Sequence, residues 1–412
     1  MNGARKFWEK FSQSMHKGLF NMKKSDVIDN YVEEDGQTIR SFIHDQVKMP
    51  NLFNATISKH DEMYLFLLNF FRGNRELASL EYLKTGKQMM DVIRQIVQWK
   101  FKGFDKVSTF LDFAGGYGRF TRFLTQELPA EHIWICDIYE DAIKFQVEQF
   151  GVHGIVSSHN PEDFKDTKKY DCVFVASLFS HLPDKTFRSW LQKLYDLLIP
   201  GGLLLFSVHD VAVLPPNLTM NAEEILFVAE SESRSLDKHD YGTTYVSESY
   251  VRNVIKEITG KTRYYRMKRG LWWFQDIYII SKDSRADFEG LNISPGPLGY
   301  IDSCFLSDTG DIYFNGWAAE LNQATWITDI QILANGKIVQ HCLPSHDRPD
   351  IEKAFQDRRN LKSGFSCHVR QNLIKPADIV MLKIINSRNI ENLIPVGALN
   401  SLLTPLKASS SQ

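Results

Sequence analysis

Residues 108–124 read STFLDFAGGYGRFTRFL, Ser108 to Leu124. An apolar run ends on Asp112, passes through Gly115, Gly116 and Gly118, and enters a helical pattern, the outline of a strand, a tight turn and a helix. Gly116 and Gly118 lack a Cβ, so the backbone there turns tightly and lies close to a ligand, and the helix beginning near Arg119 opens with unbonded N–H groups. Phe120, Phe123, Leu124 and Leu128 recur at helical spacing and anchor that helix on a sheet. A turn of this kind serves nicotinamide, flavin and nucleotide ligands alike, so the neighbouring elements must separate them.

Downstream, HIWICD (His132 to Asp137) reads as a second apolar strand, and Asp137 falls nineteen residues beyond Gly118. A carboxylate about 20 residues on, at the tip of the second strand, accepts ribose hydroxyls; the plainer reading is a cap for the helix starting near Glu140. A third strand over Gly154 to Val156 leads to the polar loop SSHNPEDF, and Tyr170 to Ala176 reads as a buried fourth strand. Phe187, Trp190, Leu191, Leu194 and Leu198 form a helical stripe, stopped by Pro200, Gly201 and Gly202 before a fifth strand, Leu203 to His209. A helix from about Ser247 to Ile258, closed by Gly260, precedes a last strand over Trp272 to Ser281. This alternation predicts an α/β fold with a doubly wound, mostly parallel, Rossmann-like sheet.

Over Asp61 to Lys282 the chain resembles the class I S-adenosylmethionine-dependent methyltransferases. LDFAGGYGR is similar to that family's first motif, CDIYEDAIKF to its acidic second motif, FVASLFSHLPD to the segment after the fourth strand, and LLIPGGLLLFSVH to the sixth motif. Ala114 stands where the family has its first glycine, and because Ala favours negative φ, the loop entrance is expected to differ there. A nicotinamide fingerprint started at Gly116 puts Thr121 at the third glycine, which fits less well. The resemblance implies a seven-stranded sheet whose last strand is antiparallel, and TRYYRMK with WWFQDIYIIS supplies its hairpin. It implies S-adenosyl-L-methionine as cofactor, held at Asp112, Ala114, Gly115, Gly116, Gly118, Asp137, Ile138 and Ser177, with Glu162 or Asp163 facing the adenine.

Within that reading the protein must orient two partners and remove a proton. A hydroxyl acceptor is barely ionised near neutral pH, so a positioned base, most often His, assists oxygen methylation. His181 follows the fourth strand and His209 ends the fifth, both at the carboxyl edge of the sheet where open α/β folds bind ligands. His209 is the preferred base, with Asp210 beside it to orient an imidazole, although neighbours on a strand point to opposite faces. The alternative for His181 is a helix cap or a brace for the cofactor loop. A long insertion carries KHDYGTTY, in which His239, Asp240 and Tyr241 are candidate acceptor contacts, and Gln275 and Asp276 are polar positions in an apolar strand, turned to the acceptor or satisfied locally.

The chain has 412 residues, 43% hydrophobic and 24% charged, enough for more than one core, and its formal net charge of -2 argues against a general nucleic-acid binder. Five dispersed cysteines without a CxxC pair indicate neither a zinc site nor a disulfide framework. No secretory leader or long apolar run is read, so the expected location is cytoplasmic. Residues 1–60 are expected to form a helical segment. Phe7, Trp8, Phe11, Met15 and Leu19 oppose Lys6, Lys10 and Lys17 there, a basic amphipathic helix that rests on a membrane, its own domain or a partner. Residues 61–285 then form the catalytic domain, with helices over Asp61 to Lys102 covering the cleft and Tyr82 and Lys84 as wall residues.

After a linker over 286–298, helical periodicity disappears. Short alternating strands over 299–405, with Asn335-Gly336 as a hairpin turn, predict an antiparallel β-sandwich, followed by a frayed tail over 406–412. GYID at Gly299, GWA at Gly316, NGK at Asn335, RPDI at Arg348 and GF at Gly364 resemble an accessory domain of bacterial sugar-modifying enzymes. Trp317 and Trp326 either stack on sugar rings or fill the sandwich core. The expected function is methylation of a sugar or glycan-precursor hydroxyl. The alternatives are a small natural-product or other non-sugar acceptor, and an inactive scaffold.

Overall fold

A computed structural model of the chain describes residues 36–230, 236–283, 285–322 and 324–403. The expected amphipathic helix over Phe7 to Leu19 and the tail lie outside these residues. Among the described residues three α-helices precede the glycine turn: α1 (Gln37–Gln46), α2 (Glu62–Phe70) and the long α3 (Arg75–Phe101). Asp61 caps α2 by accepting from the N–H groups of Met63 and Tyr64, and Asn74 caps α3 by accepting from Leu77.

Then come β1 (Phe110–Phe113), α4 (Thr121–Leu124), β2 (Ile133–Asp137), α5 (Glu140–Phe150), β3 (His153–Val156), β4 (Tyr170–Val175), α6 (Asp184–Asp196) and β5 (Leu198–Asp210). They are followed by β6 (Ile225–Val228), β7 (Thr243–Val246), α7 (Glu248–Thr259), β8 (Tyr265–Leu271) and β9 (Gln275–Ser281). The main sheet runs β3-β2-β1-β4-β5 in parallel, then β9 antiparallel to β5 and β8 antiparallel to β9. These are the seven strands expected. The insertion after β5 adds two more, because β7 pairs with the end of β5 at His209 and Asp210 and carries β6 with it.

Alternation along the strands separates two cores. Phe110, Phe174 and Leu205 face one side of the sheet with α1, α2, α3 and α4; Leu111, Val173 and Phe206 face the other with α6 and α7. The end of α6 differs from the sequence reading. Leu198 to Gly202 belong to β5 rather than to a helix end and a break, because the pairing with β4 jumps from Tyr170–Leu198 to Cys172–Leu203 and absorbs the Pro-Gly-Gly segment as an irregularity.

The C-terminal strands are β10 (Leu298–Leu306), β11 (Ile312–Ala319), β12 (Ile327–Ala334), β13 (Lys337–Cys342), β14 (Gly364–Val369), β15 (Ile379–Asn386) and β16 (Glu391–Ala398). Helix α8 (Pro349–Phe355) precedes β14 and α9 (Leu399–Leu402) follows β16. They form two antiparallel sheets, β10-β11-β14 and β13-β12-β15-β16, packed face to face around Ile301, Phe314, Ile332, Leu382 and Phe365. Asn335 and Gly336 take positive φ of 46° and 85° in the β12–β13 turn. Contrary to the expectation of no disulfide, Cys342 and Cys367 are bonded and join β13 of one sheet to β14 of the other. Their 25-residue separation matches no local cysteine motif, so only the packing of the sheets brings them together. Trp317 is buried in a side cluster with Trp273, Leu298 and Ile351, while Trp326 is 66% exposed.

The segment expected as a linker has no regular structure but is packed: Leu291, Ile293 and Ser294 are buried. Helix α3 contributes to the same apolar core as Leu333, Ile379, Met381 and Leu393 of the sandwich. Gln95 donates to the carbonyl of Ser294 at 2.8 Å and Gln88 donates to Asn392 Oδ1 at 2.7 Å. No described helix is long and apolar enough to cross a membrane.

Candidate active site

At the carboxyl ends of β1, β2, β4 and β5 lies a cleft of about 470 Å³, roofed by α2, α3 and the tip of the β8–β9 hairpin. Its floor is the glycine turn. Asp112, at the end of β1, is buried and accepts a hydrogen bond from Thr121 Oγ1 at 2.7 Å; burial pushes its carboxyl up to about 7. Ala114 adopts a φ of +58°, so the loop keeps the left-handed entrance that a glycine would give, at a strain of about 1–2 kcal/mol for a residue with a Cβ.

The glycines divide their labour. Gly116 has a φ of +55° and no atom within 4 Å of the place a Cβ would occupy, so bare backbone faces the open cleft. A Cβ on Gly118 would sit 2.5 Å from the Phe150 ring, so this glycine lets α5 pack against the turn rather than letting a ligand approach. Asp137 is buried at the tip of β2. Its Oδ2 accepts from Gly116 N at 2.8 Å and its Oδ1 from Tyr139 N at 3.0 Å, which ties the second strand to the turn and leaves further lone pairs on both oxygens. Burial raises this carboxyl too. An exposed glycine backbone with two acids beside it suits a ligand that presents hydroxyls and an ammonium group.

Ile138 and Ser177 also line the cleft, but the loop after β3 does so through Ser157, Ser158, His159 and Asn160. The expectation for Glu162 and Asp163 is corrected here: both are exposed and outside the cleft lining, because the chain turns at Asn160 before reaching them. Lys84 lines the wall as read from the sequence, whereas Tyr82 is wholly buried and donates to Asp61 Oδ2 at 2.5 Å.

The two histidines stand with their ring centroids 6.2 Å apart. His181 places Nδ1 2.7 Å from the carbonyl oxygen of Gly242. A carbonyl only accepts, so Nδ1 carries the proton and Nε2 is the basic nitrogen. Burial holds the imidazole at a pKa of about 4, and it stacks on Tyr241 at 4.5 Å. Nε2 has no hydrogen bond among the described residues. His209 lies deeper, against Phe274, with its Nε2 3.2 Å from the Gln275 amide nitrogen. Gln275 Oε1 accepts from Ser207 Oγ at 2.6 Å, which turns the NH₂ group toward His209 and makes its Nε2 an acceptor already engaged.

Asp210 does not orient an imidazole. Its carboxylate accepts from Arg266 at 2.6 Å and from Ala212 N, on the strand face opposite His209. Arg266 also binds Asp276 at 2.6 Å and Glu248 at 2.5 Å, so Asp276 belongs to a buried ion-pair cluster that fixes the hairpin rather than to the acceptor side. His239 is exposed and outside the cleft lining, while its neighbours Asp240 and Tyr241 are part of it. Sequence reasoning did not single out Arg119 and Trp272, whose guanidinium and ring lie 4.6 Å apart in the cleft. The position of Arg119 directly after Gly118 was the available signal.

Residues 111–204 match a family model described as a methyltransferase domain. No curated protein matches the chain. Among solved structures it is similar to an O-methyltransferase family protein from Burkholderia thailandensis, with 15% identity over 68% of this chain and 71% of that one and a TM-score of 0.38. It is also similar to the plantazolicin methyltransferase BpumL in complex with a monoazolic desmethylPZN analog and SAH (13% identity, 53% and 95% coverage, TM-score 0.36). A third is an S-adenosylmethionine-dependent methyltransferase from Clostridium acetobutylicum (12% identity, 47% and 92%, TM-score 0.34). At TM-scores below 0.5 these likenesses decide nothing about acceptor or mechanism. The matched segment is the one that builds the strand, the glycine turn, Asp112 and Asp137, and the chain is an enzyme with a methyltransferase domain that uses S-adenosylmethionine.

Proposed function

We propose that this chain methylates a hydroxyl oxygen of a sugar or glycan precursor, with His181 as general base. The observation that carries this reading is the His181 tautomer: Nδ1–H is committed to the Gly242 carbonyl, which leaves Nε2 as a neutral acceptor in the cleft wall. Asp112 would hold the ammonium of the cofactor, Asp137 its ribose hydroxyls, and Gly116 would let the chain approach without a side chain in the way. When bound, S-adenosylmethionine supplies an electrophilic methyl group on a sulfonium.

The residues of this chain then supply position and a proton sink. His181 Nε2 takes the hydroxyl proton, and the imidazolium formed keeps its Nδ1–H on Gly242. A base held at about 4 is too weak to deprotonate an alcohol beforehand, so the proton moves only as the oxygen becomes acidic in the transition state. Trp272, Phe274 and Tyr241 offer ring faces against which the apolar face of a sugar can lie. The apolar wall of Met63, Phe66, Leu67 and Met89 favours a second reading, an acceptor with more apolar surface such as a small natural-product alcohol.

Isotopically labelled methyl donor, incubated with a panel of glycans and small alcohols, tests the reaction, and calorimetry with S-adenosylhomocysteine tests the site. His181→Ala is expected to lose about 10²–10⁴-fold in turnover while its S-adenosylhomocysteine affinity stays within about twofold. The wild-type rate should show no histidine limb near pH 6.5, since His181 is neutral down to about 4. A folded protein that gives no heat with S-adenosylhomocysteine rejects the enzyme reading, and full turnover in His181→Ala removes the base.

A further inference from the structure

Two cationic side chains line the cleft among the described residues, Lys84 and Arg119. They stand in different states. Lys84 Nζ is 2.6 Å from Glu81 Oε1, so its charge is already matched. The Arg119 guanidinium has no hydrogen bond or ion pair among the described residues, although the residue is half-buried and burial lowers its pKa. A guanidinium partly withdrawn from water without gaining an anion is an incomplete arrangement, because charges taken out of water are normally paired.

Its geometry is nevertheless fixed. The guanidinium lies 4.6 Å from the centre of the Trp272 ring. Trp272 is itself held by a hydrogen bond from its indole nitrogen to the Thr85 carbonyl at 3.2 Å and sits at a φ of +51° in the hairpin tip. A cation over a ring takes up none of the guanidinium N–H donors, which lie in one plane and suit a planar anion. Asp61, Glu81 and Asp112 lie within electrostatic range without touching it. Of these, Asp112 flanks the same glycine turn and lines the same cleft, one residue at the entrance and the other just past the exit. An acid and a guanidinium flanking one turn form the complement of an α-amino acid, whose ammonium and carboxylate share a single carbon.

We propose that Arg119 clamps the carboxylate of the cofactor's amino-acid end, opposite the Asp112 site for its ammonium. This rests on the methyltransferase reading above and adds a residue that sets how the methionine portion is held. The alternative is that Arg119 only packs against Trp272 and stabilises the hairpin tip.

Calorimetry with two ligands on the full chain separates these. S-Adenosylhomocysteine carries the amino-acid end; 5′-methylthioadenosine shares the adenosine and thioether but lacks it. Arg119→Gln is expected to weaken S-adenosylhomocysteine about ten- to a hundredfold, as for loss of a charge-assisted bidentate pair, and to leave 5′-methylthioadenosine within about twofold. Arg119→Lys, which keeps the charge but not the fork, is expected to fall between wild type and Arg119→Gln, and it carries the test if the Gln variant does not fold. Equal loss for both ligands, or no loss for either, overturns the clamp. Wild-type protein that binds neither ligand overturns the methyltransferase reading instead, so the two failures are distinguishable.

Discussion

Burial pushes the Asp112 carboxyl up to about 7, and this makes one residue a reporter of the site. Its folded pKa lies above its unfolded value of 3.8, so the stability it contributes is present below about pH 4 and is lost as pH rises toward 7. Binding of an ammonium works in the opposite sense, because it needs the carboxylate. S-Adenosylhomocysteine affinity is therefore expected to rise roughly tenfold or more between pH 5.5 and pH 8, with proton release on binding near pH 6. Calorimetry in buffers of different ionisation heat measures both, and a flat affinity would contradict the assignment. Asp137, also raised by burial, adds to the same slope, so Asp112→Asn should flatten it only in part. At this scale the sequence was legible where the backbone fixes a residue's position. Asp112, Gly116 and Asp137 lie at strand tips or in the turn, and order along the chain places them. It was less legible where roles depend on side-chain partners. His209 and His181 both end at the sheet edge, and only the Gln275 amide and the Gly242 carbonyl distinguish them. Asp210 and Asp276 look like site acids until Arg266 is seen between them.

The strand, turn and helix from Phe110 to Leu124 act as one device, and its glycines are not interchangeable. Gly118→Ala places a methyl group 2.5 Å from the Phe150 ring at a φ of +78°, combining backbone strain with overpacking against α5. The expected cost is about 2–5 kcal/mol in chemical denaturation. Gly116→Ala meets no atom within 4 Å and costs only its strain, about 1–2 kcal/mol, but its methyl group enters the cleft. Its S-adenosylhomocysteine affinity is expected to fall more than tenfold while the fold survives. Equal denaturation midpoints for the two variants would show that the glycines do not divide the work this way. Period and punctuation made most elements readable, since α7 does begin beside Ser247, which caps it, and Gly260 does close it. The β6–β7 ribbon escaped because β6 and β7 are four residues each and are held by pairing with the end of β5, a long-range contact without a local pattern. The Cys342–Cys367 bond escaped for the same reason.

Helix α3 determines how the whole molecule holds together. One part of it lines the cleft with Lys84, Thr85, Gln88 and Met89, while Gln88, Gln95 and its apolar residues meet the sandwich and the segment before it. Composition marks a change of pattern near 286, yet it cannot show that the two sides share a core, because Leu333, Ile379, Met381 and Leu393 read as ordinary inward residues of their own sheet. We infer that 61–285 and 299–405 are two architectures but one folding unit. Burying a Leu, Ile or Met side chain contributes about 1.5–3 kcal/mol, so uncovering the α3 face from four such partners removes an amount comparable with the whole stability of a domain, about 5–15 kcal/mol. A fragment ending at Arg285 is therefore expected to lose cooperative thermal unfolding and S-adenosylhomocysteine binding together, and co-expression with residues 286–412 should restore both. The Gln88–Asn392 hydrogen bond lies in this interface and borders the cleft, so removing the sandwich disturbs the acceptor wall before the glycine floor. A truncated chain that melts in one sharp transition and binds S-adenosylhomocysteine like the full chain would mean that the sandwich is an independent module and that the shared core adds little.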